Sequence, residues 1–169
     1  MLTLSYLLLP ILGLTTYSQD AGWGSTVNGV RGGLALTQDR SGIELTFENT
    51  GQRDLYLLLG DMGQGYPNAV RFTIGAPGEE ERNLTFRRTS QSPASSVPSP
   101  LVVPLLPGSR YTFRAPLSAF GLQTSRRARF IRAHLRIEPG AGMRYVRQYG
   151  LQIFWAGALV TNPISIGDQ

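Results

Sequence analysis

Phe130-Ile131-Arg132-Ala133-His134-Leu135-Arg136-Ile137 alternates without a break. In an extended chain Ile131, Ala133, Leu135 and Ile137 fall on one side and Phe130, Arg132, His134 and Arg136 on the other, because successive side chains of a strand point to opposite faces. Wound as a helix, the same residues would scatter their apolar members round the circumference. The stretch reads as a strand with one buried face and one wet face. The same period of two recurs elsewhere. Ile43, Leu45 and Phe47 alternate with Glu44, Thr46 and Glu48; Val70, Phe72 and Ile74 alternate with Arg71 and Thr73; Leu84 and Phe86 alternate with Asn83 and Thr85; Tyr111 and Phe113 flank Thr112.

Turn clusters separate these stretches: Asn49-Thr50-Gly51, Gly63-Gln64-Gly65, Gly75-Ala76-Pro77-Gly78, Pro107-Gly108 and Pro139-Gly140-Ala141-Gly142. Leu55 to Leu59 is a fuller apolar run suited to a central strand. Leu151 to Trp155 is another, and a last strand follows near Leu159 to Ile166. No stretch after residue 18 carries a helical stripe, and no repeat of solenoid length is present. About seven to nine short strands between turn signals predict an all-β antiparallel sandwich. The run Thr89 to Pro100, TSQSPASSVPSP, reads as a loop crossing between sheets within a single domain over 19–169, since neither flank is long enough for a core of its own.

Trp23-Gly24 with Gly29-Val30, the strand ending at Asn49-Thr50-Gly51, Leu101 to Leu105 leading to Pro107-Gly108-Ser109-Arg110-Tyr111, Phe154-Trp155-Ala156-Gly157 and Thr161 to Ile166 together form a recognisable set. The set resembles single-domain immunoglobulin-like sandwiches of secreted bacterial proteins with no assigned function. The resemblance implies an immunoglobulin-like fold over most of the chain and carries over no catalytic residue. The Cys–Trp–Cys core of antibody domains is absent.

Residues 1–18 read as a signal peptide. Leu2, Leu4, Leu7, Leu8, Leu9, Ile11, Leu12 and Leu14 form an uncharged apolar core, and Thr16 and Ser18 are small residues two apart. The run is short for a membrane span, and Pro10 and Gly13 interrupt it. The expected location is secreted or periplasmic, with no transmembrane span in the mature chain. There is no cysteine, so neither a disulfide nor a lipid-modified cysteine is available, and the fold rests on its apolar core.

All sixteen basic residues are Arg. From Gln19 to Pro100 seven Arg stand against nine Asp and Glu; from Leu101 to Arg147 nine Arg stand against Glu138 alone. Either the second half makes a basic face for an anionic partner, or the halves interleave as cross-strand pairs. The densest cluster is Arg126, Arg127, Arg129, Phe130, Arg132, His134 and Arg136. Phe130, Arg132, His134 and Arg136 share one strand face and recur every ~6.5–7 Å, with Arg126, Arg127 and Arg129 at or just before its start. The row suits gripping a polyanion such as an acidic glycan, lipid headgroups or a phosphorylated chain, with Phe130 as a stacking platform, and an envelope protein is the other expected partner. The competing reading pairs these Arg with Glu44, Glu48 or other outward acids. Nucleic acid is a minor reading for an exported chain.

His134 is the single histidine, and no G-x-S-x-G accompanies it. Arg132 and Arg136 beside it are expected to favour its neutral form. No calcium-loop pattern follows Asp61, no His/Cys cluster suggests a metal, and no GxGxxG follows a strand, so no cofactor is expected. Asn83-Leu84-Thr85 is a formal glycosylation sequon. The leading expectation is an exported, non-enzymatic binding or structural module at the cell envelope. The alternatives are a polyanion-binding module using the Arg-rich strand, an envelope hydrolase with acids in the Gly60–Pro67 and Thr89–Pro100 loops, and a module that adds its last strand to a partner sheet.

Overall fold

The computed structural model describes residues 21–61, 69–85, 100–122, 129–141, 150 and 153–167. The expected signal peptide, most of the Ser/Pro-rich loop, Arg126, Arg127 and most of the Gly60–Pro67 loop lie outside the described residues. In chain order the strands are β1 (Gly22–Trp23), β2 (Val30–Leu36), β3 (Gly42–Asn49), β4 (Leu55–Asp61), β5 (Val70–Gly75), β6 (Arg82–Asn83), β7 (Pro100–Leu105), β8 (Arg110–Pro116), β9 (Phe130–Ile137), β10 (Gly157–Val160) and β11 (Ile164–Ser165). One 3-10 turn, Leu117–Phe120, follows β8.

These strands build an all-β sandwich. One layer has the order β1-β2-β3-β8, and the other β10-β9-β5-β6, with β11 also on β9. β4 and β7 form a separate antiparallel pair, which Tyr56 ties to the segment leading into β10: its N–H donates to the Ile153 carbonyl, and its carbonyl accepts from Trp155 N–H, both at 2.9 Å. Every strand pair in the two layers is antiparallel. The inward faces are those the alternation predicts. Ile43, Leu45 and Phe47 of β3, Val70, Phe72 and Ile74 of β5, and Ile131, Ala133, Leu135 and Ile137 of β9 are buried in one continuous cluster with Leu57, Leu59 and Trp155. Each large side chain so buried contributes about 1.5–3 kcal/mol. With no cysteine available, this cluster is the main force closing the layers.

Asn49 is fully buried at the corner where β3 leaves its sheet. Its side-chain amide donates to the carbonyls of Arg53 and Leu105, both at 2.8 Å. Its side-chain oxygen accepts from Gly51 N–H at 2.9 Å. Its backbone N–H donates to the Ser109 carbonyl, and its carbonyl accepts from Gly108 N–H. The Asn28-Gly29 turn closes against the same corner, its Gly29 carbonyl accepting from Thr50 and Gly51. Asn28 and Gly29 both take positive φ, which a tight two-residue turn between antiparallel segments requires.

Three stretches differ from the reading of the sequence. The last strand is broken into β10 and β11, because Pro163 has no N–H to continue the ladder. Thr161 spans the gap: its N–H donates to the Ala133 carbonyl, and its hydroxyl accepts from Ala133 N–H at 3.0 Å. Of the strand expected over Asn83–Phe86, Asn83 lies in β6 (Arg82–Asn83), Leu84 N–H donates to the Phe72 carbonyl beyond the end of β6, and Phe86 lies outside the described residues. Glu48, expected on a wet face, is 9% exposed. Arg31 of β2 and Arg110 of β8 stand opposite it and bind its carboxylate at 2.6 and 3.0 Å, and Trp23 lies 4.4 Å from the Arg31 guanidinium. Burial works to raise the Glu48 pKa, but hydrogen bonds and charge from the two Arg outweigh it and hold the carboxyl below its ordinary range.

Asn49→Ala is expected to destabilise the protein by about 2–3 kcal/mol, since it orphans buried backbone groups on both sides of the corner. Urea unfolding checks this; a loss near zero would show that the corner holds without its amide.

Candidate anion-binding face

The outer face of the second layer is set by the pairing of β5, β9 and β10. Arg71 stands opposite His134, and His134 opposite Val160; Thr73 stands opposite Arg132 and Asn83; Ala158 stands opposite Arg136. Long side chains beside short ones leave an open groove of about 650 Å³. Arg71, His134, Arg136 and Asn83 line it, with Ala158 and Val160 as its apolar part. Val160 is 44% exposed there, a β-branched apolar surface left to water.

The structure divides the predicted stripe. His134 and Arg136 line the groove. Arg132 shares their face but turns to Glu81, 3.3 Å away, and its Nε has no hydrogen-bond partner. Arg136 pairs with Glu138 at 2.6 Å in a largely exposed contact, which holds it weakly. Phe130 lies about 13 Å along the strand from His134, opposite Gly75 and Ser165, too far to stack on a unit beside the imidazole. Arg129 is also apart, lining a smaller cavity of about 240 Å³ with Arg82, Glu79 and Glu80. Arg126 and Arg127 lie outside the described residues.

Arg71 is the groove residue that sequence reasoning passed over. In the sequence it is only the polar member of an alternating strand, and the register of β5 on β9 is what sets it beside His134. Among the described residues it has no carboxylate partner. The acids proposed as partners of the stripe, Glu44 and Glu48, belong to the other layer, on Arg114, Arg31 and Arg110. Three of the five ion pairs among the described residues join an acid before residue 100 to an Arg after it, so the two halves interleave. What remains basic is local.

His134 is held by a short relay. The Thr73 hydroxyl donates to Glu81 at 2.7 Å and lies 3.0 Å from His134 Nε2. A hydroxyl has one proton, and Glu81 takes it, so Thr73 accepts from Nε2–H. The neutral ring therefore carries its proton on Nε2 and its lone pair on Nδ1. Burial lowers the His134 pKa; Glu81 opposes this, and the Arg132 and Arg71 charges add to it. The second flanking guanidinium is thus Arg71, across the sheet, rather than Arg136, and burial contributes more than either. Among the described residues no nucleophile is hydrogen-bonded to Nδ1, and no group of three His, Asp or Glu side chains is placed to hold a metal ion.

The last strand does not offer a free edge along its whole length. Asn162 N–H donates to the Gly22 carbonyl at 3.1 Å, and a Cβ on Gly24 would lie 1.9 Å from the Val160 carbonyl oxygen. Gly24 is what lets β1 approach so closely. Among the described residues no helix is long and apolar enough to cross a membrane. Comparison of the chain with protein-family models, curated proteins and solved structures finds no match.

A His whose folded pKa lies below its unfolded value binds its proton more readily when unfolded. Its stabilising share is present above about pH 6.5 and is lost as pH falls through the lower, folded pKa. Thermal melts between about pH 7.5 and 5 are expected to show a decline that His134→Gln reduces. Identical pH profiles for the two proteins would contradict the placement of the ring.

Proposed function

We propose that the chain is exported and acts as a non-enzymatic, immunoglobulin-like binding module that holds an anionic ligand against the outer face of β5 and β9. The observation that carries this reading is Arg71, a guanidinium with no carboxylate partner among the described residues, beside His134 and Arg136 in one groove. Arg presents a planar fork of donors that matches a carboxylate or phosphate and stays charged at every physiological pH. Arg136 adds a second fork, because its exposed pairing with Glu138 costs little to exchange. Export is supported by the uncharged Leu-rich start of the chain. A binding role is supported by the groove itself, where the imidazole is tied to Thr73 and Glu81.

Retention of the purified protein on alginate, dextran sulfate and vesicles of anionic lipid, across a salt series, tests the reading. At least one surface is expected to retain it at low salt and release it as salt screens the contact. Arg71→Ala with Arg136→Ala is expected to weaken that retention about tenfold or more. Arg114→Ala, an exposed Arg paired with Glu44 on the other layer, is expected to leave it unchanged. Failure of all three surfaces, or equal loss in both variants, would overturn the proposal.

A further inference from the structure

We infer that the ligand of this groove is a carboxylate-bearing saccharide, such as a uronic acid unit of an acidic polysaccharide, rather than a densely sulfated or phosphorylated polymer. The inference rests on the anion-binding reading above and concerns the chemistry of its ligand.

The first reason is charge density. Arg71 and Arg136 face the groove together with Glu138, while Arg132, which is not part of the lining, is offset by Glu81. With His134 neutral, the lining carries one excess positive charge. A chain with two or more anions on each unit brings charge against Glu138 as well as against the Arg. A sugar with one carboxylate per ring places its charge on the Arg71 fork and brings hydroxyls elsewhere.

The second reason is the balance of donors and acceptors. Glu138 can accept from ring hydroxyls, and so can Nδ1 of His134, whose lone pair follows from the Thr73 contact. Asn83, exposed and without a side-chain hydrogen bond among the described residues, both donates and accepts. Sulfate and phosphate groups ionised at neutral pH are essentially acceptors and leave carboxylate and imidazole acceptors unmatched. A hydroxylated ring supplies donors to all of them.

The third reason is the apolar strip. Ala158 and Val160 lie along one side of the groove, with Val160 substantially exposed. The C–H face of a sugar ring covers such a strip and removes it from water. Lipid headgroups on a membrane would meet the groove with phosphate first and leave this strip uncovered.

Titration calorimetry with oligomers of alginate, galacturonate and hyaluronan tests the inference, with methyl-esterified galacturonate, dextran sulfate, polyphosphate and anionic-lipid vesicles alongside. At least one carboxylated oligomer is expected to bind, and esterification is expected to abolish binding of galacturonate if that is the one. Arg71→Ala is expected to weaken binding about tenfold, and Asn83→Ala by a smaller factor. Both positions are exposed, so neither change disturbs the core, and unaltered melting verifies this. Dextran sulfate or polyphosphate binding as tightly as the best carboxylated oligomer would overturn the saccharide inference while leaving the anion-binding reading in place. Vesicle binding through Arg71 without oligomer binding would do the same. Absence of binding to every probe would overturn both.

Discussion

The buried side chain of Asn49 is the constraint on which the geometry of the sandwich depends. A β-sandwich must carry its chain from one sheet to the other, and at each crossing backbone groups leave the ladder. Leaving them unpaired and buried costs about 1–3 kcal/mol each. Asn is suited to this corner because its amide is both donor and acceptor. One side chain satisfies Arg53, Leu105 and Gly51, while its backbone holds Ser109 and Gly108. The crossing after β3 and the crossing between β7 and β8 thereby meet at one residue, with the Asn28-Gly29 turn closed against them. The relative placement of β3, β4, β7 and β8 follows from it.

With the layers fixed, β9 does two things at once. Its inner residues, Ile131, Ala133, Leu135 and Ile137, close the core, and its outer residues face solvent at a separation set by the strand repeat. Packing the inner face rigidly is what makes the outer face a usable surface: a one-residue slip would exchange the two. Thr161 protects this register where the neighbouring strand fails, supplying a hydroxyl in place of a carbonyl opposite Ala133. The opposite layer uses the same cross-strand logic for stability. Arg31, Glu48 and Arg110 form a row beneath Trp23, Thr46 meets Thr112 at 2.9 Å, and Glu44 meets Arg114. Acids and Arg are matched there, whereas the groove keeps Arg71 in excess.

Much of this was legible in the sequence. The alternation in 43–48, 70–74 and 130–137 predicts the strands and their buried faces, because a period of two leaves one arrangement that buries every apolar residue. Long-range partners were not legible. Nothing in Arg71 itself says that it will face His134, and nothing in Glu81, the last of three consecutive Glu after the Gly78 turn, says that it will reach Arg132 and Thr73. Those juxtapositions come from the order of strands, which local pattern does not encode. Two local signals were available and passed over. Asn28-Gly29 is a turn dipeptide with a defined geometry, and Pro163 forbids an unbroken last strand. The charge asymmetry between the halves of the chain was visible, but its meaning depended on topology, and interleaving cancels most of it.

Because the chain has a single histidine, the most direct test of the central claim is the NMR resonance of that imidazole during titration with alginate oligomers. If the outer face of β5 and β9 is the binding site, the His134 ring signals shift saturably, and the bound anion raises its pKa toward or above the ordinary value. Oligomers that bind elsewhere while the His134 signals and pKa stay fixed would contradict the account.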